Sequence, residues 1–264
     1  MPSQPSRIHQ PYYRNGPSHR DGADVSFQDI VKIFGFRTVT IGKWVTKEEQ
    51  QLAANLFFDA LCDLMEILEV SETVISLNGS LSLAFGSGGR KHSSAHYDSQ
   101  RKVLALAKNA GGGALAHEWF HGFDHYICNK LFIDTKSHQF ASQCWLKDHQ
   151  QKPHALNIKL SRVFEAIFLT PSKTQPNDYV NRSAFADKTL KMYYYAQPQE
   201  LSARAFEACI QDHYRKNAFL VQGTKQSPEA KLGIYPVDEH RATISKNLLD
   251  YFGHLGQVLS RQSV

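Results

Sequence analysis

Three side chains in one short run could act together chemically: His117, Glu118 and His121, in the order His-Glu-x-x-His. On a helix, residues four apart share a face, one turn above the other. Both imidazoles can therefore aim a nitrogen at one ion. Glu118, beside them on the turn, can reach a water on the open side of that ion without binding the ion itself. This is the arrangement of a zinc hydrolase: two histidines hold the metal and the glutamate takes the proton of the bound water. The same pattern also arises by chance, and then describes an amphipathic helix with two buried histidines.

The flanking sequence supports the chemical reading. Val103 to Ala107 is apolar and uncharged and reads as a strand. Gly111 to Gly113 breaks it, and Ala114 to Tyr126 then reads as a helix. A strand, a glycine loop and this helix form the context such a site needs.

A catalytic zinc site takes three protein ligands and keeps one place for water. His125 continues the row of 117 and 121, but eight residues along a helix is about 12 Å, too far to share the ion. A histidine at 127 preceded by a glycine at 124 would be another solution; Ile127 and Asp124 stand there. The third ligand must come from elsewhere. Glu200, expected in the first turn of a later helix just after Pro198, is favoured over Glu207, which lies on the same helical face. Arg204 falls between them and could clamp a carboxylate. Asp124 could orient His121 from behind, and His96 could face the site from a strand.

Composition limits the remaining possibilities. The chain has 264 residues and an apolar fraction of 42%, enough for a proper core in one domain with elaborations. Its net charge of +5 is dispersed, which favours a solvated surface over a nucleic-acid partner. The four cysteines are widely spaced and lack any CxxC pair, so they read as reduced, buried thiols and not as metal ligands. The N-terminus has no apolar core of the signal-peptide kind, and no run is apolar enough to span a membrane. The expectation is a cytoplasmic protein, with delivery into another cell by a specialised route left open.

Residues 1–24, rich in Pro, Ser, Arg, His and Gly, are predicted to form a flexible tail that could touch nucleic acid through Arg7, Arg14 and Arg20. Residues 25–264 are expected to form a single domain, with a sheet subdomain at 25–130 and a helical subdomain at 131–264. Thr46-Lys47-Glu48-Glu49 has capping-box form and opens a helix running to about Val70. Asn55, Asp59, Asp63 and Glu66 make one narrow polar stripe on it. Val74 to Phe85, with Asn78-Gly79 at its centre, reads as a hairpin. The glycine loop Gly86 to Lys91 reads as a mobile loop in preference to a phosphate cradle. Ala95 to Asp98 and Lys102 to Ala107 read as two more strands. Helices are expected over 137–148, 155–169, 200–214 and 239–255, with a loop from Thr170 to Asp187.

Several blocks carry a family likeness: Phe34-Gly35-Phe36-Arg37, Gly42-Lys43-Trp44-Val45, Ser76-Leu77-Asn78-Gly79, Leu83-Ala84-Phe85-Gly86, Ala95-His96-Tyr97, Leu115-Ala116-His117-Glu118-Trp119 and Glu200 to Ala208. They stand in the same order as in the large polyvalent protein-associated domain 1, which the chain resembles from about residue 28 to 255. That family occurs in polyvalent proteins of phages and other mobile elements and is regarded as zincin-like. More distantly, the chain is similar to the protease domain of anthrax lethal factor. Asp124 matches an aspartate three residues after the second histidine, and Glu200 matches a glutamate ligand opening a Glu-x-x-Ala-x-Ala-Phe segment. Tyr193 stands at the offset of a tyrosine that stabilises the oxyanion, and Tyr194 and Tyr195 are close enough to serve. Phe120 departs from the pattern, since glycine is common before the second histidine.

The resemblance implies an α+β, zincin-like metallopeptidase fold, with a small twisted sheet, an edge strand before the His-Glu-x-x-His helix and a mainly helical C-terminal half. It implies Zn2+ held by His117, His121 and Glu200, the gluzincin arrangement, with Glu118 as general base and a tyrosine from 193 to 195 at the oxyanion. The expected partner is a protein or peptide substrate of narrow range, as an effector protease would have. The competing expectation is a non-catalytic, zinc-bound accessory module that binds DNA or protein for a phage or mobile element.

Overall fold

The structure is a computed structural model and describes residues 7–87, 95–107 and 112–262. It is a mixed α+β protein with one small sheet and many helices. The chain divides into two compact units: Met1–Gly122 with His213–Gln222, and Phe123–Asp212 with Gly223–Val264.

The first unit begins with a 3-10 turn, Arg7–His9, followed by α1 (Phe27–Phe34), β1 (Val39–Ile41), α2 (Lys47–Leu68) and α3 (Glu72–Ile75). Then come β2 (Ser82–Phe85), β3 (Ala95–Asp98), β4 (Val103–Leu106) and the first half of α4 (Leu115–Leu131). Both α1 and α2 start at capping boxes, Ser26 with Asp29 and Thr46 with Glu49. Each box satisfies two otherwise orphaned backbone donors at the helix start. The sheet runs β1-β2-β4-β3; β1, β2 and β4 are parallel and β3 returns antiparallel beside β4. Thus β4, the strand that leads toward α4, is an interior strand, and the edge falls to β3. Every residue of β2 is buried, so both of its faces are covered, as is usual for a strand in parallel pairing.

Three expectations for this unit need correction. The hairpin at 74–85 does not form. Glu72–Ile75 is helical, and Leu77, Asn78 and Gly79 all take positive φ, turning the chain from α3 into β2. Both edges of β2 are already used by β1 and β4, so no place exists for a hairpin partner. The strand before the His-Glu-x-x-His helix, expected at an edge of the sheet, is β4 and lies between β2 and β3. Residues 7–24 are not a loose tail. Ile8 is buried at 2%, and Tyr13 to Asn15 hydrogen-bond in backbone register to Lys216 to Ala218. The polar stripe of α2 explains this. Asn55 accepts from the Val25 backbone, Asp59 from Arg20, Asp63 from Arg14, and Glu66 from Arg215. Asn55, Asp59 and Asp63 anchor the N-terminal leader segment, and Glu66 holds Arg215 from far down the chain. Gly86 and Ser87 form a bend, and the remainder of that glycine loop lies outside the described residues.

The second unit holds the rest of α4, then α5 (Ala141–Leu146), α6 (Ala155–Phe168), α7 (Asp178–Leu190), α8 (Pro198–Asp212), α9 (Pro228–Lys231) and α10 (Asp238–Gln262). Helix α10 packs against α6 and α8. Phe252 is central, with ring centroids of Phe123, Tyr251 and Phe206 at 5.0, 5.1 and 5.9 Å. Helix α7 lies largely where a loop was expected. Asn177 caps it, accepting from the Val180 backbone, so an Asn-Asp pair that looked like a turn signal is a helix start. Among the described residues, no helix is long and apolar enough to cross a membrane.

Candidate metal centre

The two histidines are positioned by the N-terminal turn of α4. Gly112 donates its N–H to the Tyr12 hydroxyl at 2.7 Å, Gly113 donates to the Phe219 carbonyl at 2.7 Å, and Ala116 to the Leu220 carbonyl at 3.0 Å. No side chain fits in this turn. A Cβ at Gly112 would meet Phe219 Cδ2 at 2.4 Å, and Gly113 has φ +101° with Gln222 Cγ at 2.6 Å from such a Cβ. Leu115, Ala116, Trp119, Phe120 and Phe123 form the buried side of α4, and Trp119 Nε1 donates to the Ile75 carbonyl at 2.9 Å. Phe120, the bulky departure from the family pattern, is fully buried there.

His117 and His121 are themselves buried, at 8% and 7% exposure. Their Nε2 atoms are 3.1 Å apart, with rings inclined at 80°. Two nitrogens at about 2.0–2.1 Å from a tetrahedral zinc ion would lie about 3.3 Å apart. The pair therefore has the spacing of two ligands of one small ion, although one imidazole donating to the other would produce the same distance. Glu118 is half-buried in the first turn of the same helix.

Glu200 is in the first turn of α8 and is 7% exposed. Arg204 Nη2 lies 3.1 Å from its Oε2. His117, His121 and Glu200 form one group, each offering a ligand atom within 4.8 Å of the others'. The rival, Glu207, instead accepts a hydrogen bond from the Tyr235 hydroxyl at 3.0 Å and is not in that group. Two imidazoles and one carboxylate, all buried, suit a borderline divalent cation such as zinc.

The other expected residues have other placements. Asp124 is fully buried and accepts from the Ser142 backbone N–H at 2.8 Å and from the Ser142 hydroxyl at 2.5 Å, fixing the start of α5. His125 Nε2 sits 2.6 Å from the Ser137 carbonyl. His96 stands on β3 opposite Ala105, outside the ligand group. Tyr193 is 70% exposed, while the rings of Tyr194 and Tyr195 lie over the Arg204 guanidinium. Burial opposes the charge on Arg204, but the Glu200 carboxylate together with the Tyr179, Tyr194 and Tyr235 side chains outweighs it and holds the group above its ordinary pKa.

A second group, His19, Asp63 and Glu66, also has metal-like spacing. Arg14 forks onto Asp63, and Arg215 bonds Glu66 at 2.6 Å. Those guanidiniums already supply the positive charge a cation would bring, so this group is an ion-pair network.

Sequence reasoning missed two contributors. Tyr12 lies in what looked like a tail, 100 residues from the glycine it holds. Asp187 binds the turn before α8 but closed a stretch read as loop. Neither had a local signal.

Residues 186–259 match the sequence family described as large polyvalent protein-associated domain 1. The matched stretch contains Glu200, Arg204 and Glu207, and bears out the likeness seen in the Glu200 to Ala208 block. No curated protein and no solved structure matches the chain.

Proposed function

We propose that this chain is a zinc-dependent metallopeptidase of the gluzincin type, built on a zincin-like fold and acting on a narrow range of protein substrates. The reading rests on one observation: two imidazoles 3.1 Å apart and a buried carboxylate form a single ligand-sized group. In this reading His117, His121 and Glu200 hold the ion, which when bound would acidify a water toward neutral pH and polarise a peptide carbonyl. Glu118, one residue beyond the first histidine and half-buried, takes the proton from the attacking water and returns it to the departing amine. Burial of the histidines keeps bulk water from competing for their nitrogens. The tyrosines of the turn before α8 are candidate hydroxyl donors for the oxyanion, and Tyr193 is the most exposed of them.

Glu118→Gln tests the mechanism. The variant is expected to bind one zinc per chain, measured by elemental analysis, and to lose proteolysis of a substrate found by screening. Unchanged cleavage would overturn the role of Glu118. Absence of zinc in the wild type, or its persistence in both His117→Ala and Glu200→Ala, would overturn the site.

The matched family is described only as a domain associated with large polyvalent proteins, which leaves room for a second reading, a non-catalytic accessory module that binds DNA or protein for a phage or mobile element. DNA affinity falling steeply with salt would favour that reading, as would a zinc ion with no exchangeable water.

A further inference from the structure

One carboxylate holds the turn between α7 and α8. Asp187, 4% exposed, accepts three successive backbone N–H groups, from Tyr194 at 3.1 Å, Tyr195 at 2.9 Å and Ala196 at 2.9 Å. Consecutive N–H groups pointing one way form a concavity of partial positive charge that calls for an anion. The turn so fixed presents two rings, Tyr194 and Tyr195, with centroids 5.3 Å apart. Arg204 Cζ lies 5.1 Å from one centroid and 4.8 Å from the other, within cation–π range. The same guanidinium, 5% exposed, reaches Glu200 Oε2 at 3.1 Å through Nη2. Among the described residues its other terminal nitrogen, Nη1, has no acceptor, so the two rings and Glu200 are prominent among the groups that hold this buried cation in place.

We propose that Asp187 is a positioning residue for Glu200, acting through the Tyr194–Tyr195 turn and Arg204. The contacts form a relay: carboxylate, turn, paired rings, guanidinium, ligand carboxylate. Asp187 never touches the ion or the substrate. It fixes the wall against which Arg204 rests, and Arg204 fixes the carboxylate that must meet two imidazoles. The inference rests on Glu200 being a metal ligand, as proposed above. All four members, Asp187, the tyrosine turn, Arg204 and Glu200, lie inside the matched stretch 186–259.

Two measurements on the full-length chain decide it. The first is zinc affinity, read by competition with a chromophoric chelator well below the unfolding midpoint. Asp187→Asn keeps the side-chain size but removes the charge and one acceptor. It is expected to weaken zinc binding about 10–100-fold at unchanged stoichiometry, the usual cost of losing an outer partner of a ligand. A merely structural role would lower the midpoint and leave this affinity alone. Should Asp187→Asn fail to fold, the double variant Tyr194→Leu with Tyr195→Leu removes the rings and is expected to weaken binding in the same way. Wild-type affinity in whichever variant folds would overturn the proposal. The second measurement needs no metal: a crystal structure of the metal-free variant is expected to show the Glu200 carboxylate displaced from Arg204. An undisturbed 3.1 Å contact would overturn the relay. A wild type that binds no zinc would overturn the metal reading, and a displaced Glu200 would then still establish the relay.

Discussion

Arg14 forks onto Asp63, with Nε to Oδ2 and Nη2 to Oδ1 both at 2.7 Å, across 49 residues of chain. Asn217 and His19 complete the carboxylate's hydrogen bonds, each at 2.8 Å. Burial alone would raise the Asp63 pKa, but the bonds from Arg14, Asn217 and His19 outweigh it and hold the carboxyl below its usual value.

A carboxyl with a depressed folded pKa contributes stability above its unfolded value, near ~4, and loses that contribution as pH falls through the folded value. Asp63→Asn is therefore expected to destabilise the protein at neutral pH by about 3 kcal/mol, since it strands the Arg14 charge. It is also expected to flatten the loss of stability on acidification. Denaturant unfolding of both proteins from pH 7 down to pH 3 checks this, and parallel acid limbs would contradict it.

Zinc is expected to raise the thermal midpoint. Free metal at a thousand times its dissociation constant adds about 4 kcal/mol, or about 10 °C for a chain of this size. His121→Ala is expected to abolish the shift, as is a chelator in excess. A scan with and without zinc, on both proteins, reads the result.

The turn into α4 has no room for a methyl group. Gly112→Ala would put its Cβ 2.4 Å from Phe219 Cδ2 and 2.6 Å from the Phe219 Cα. Backbone cannot yield as a flexible side chain can, so a loss of more than about 2 kcal/mol is expected, together with weaker zinc binding because the first turn of α4 carries His117. Denaturation and chelator competition on one preparation measure both.

All four cysteines are buried, and burial pushes the Cys62 and Cys209 thiols up to about 12 and raises those of Cys128 and Cys144 as well. Since the thiolate is the reactive form, the native protein at pH 8 is expected to resist alkylation and to react at four sites in denaturant. Rapid native labelling of Cys62 or Cys209 would contradict the packing.

What could be read from the sequence was local. The Thr46 and Glu49 capping box announced α2, and the glycine break before an apolar helix announced α4, because each signal lies within a few residues of what it controls. Glu200 was reached from helical position after Pro198, and the same reasoning left Glu207 open; what separates them is Tyr235, whose hydroxyl engages Glu207 from 28 residues away. The leader segment was misread for a related reason. Its partners lie 30 to 201 residues distant, and nothing in a run of Pro, Ser and Arg says which carboxylates await it. At Asn177-Asp178 the residue types fit both a turn and a helix cap, and only the chain that follows decides between them.

The first compact unit takes in His213–Gln222 from far down the chain, and those ten residues receive the Gly113 N–H at Phe219 and bring Asn217 to Asp63. A growing polypeptide cannot finish that unit when residue 122 leaves the ribosome. At roughly 5–20 residues per second, it waits some seconds more for the missing stretch to be synthesised. Until then the Asp63 carboxylate has no Asn217 to bind, and a nascent chain released early, short of residue 213, would carry the two histidines on a helix whose glycine turn had never been fastened.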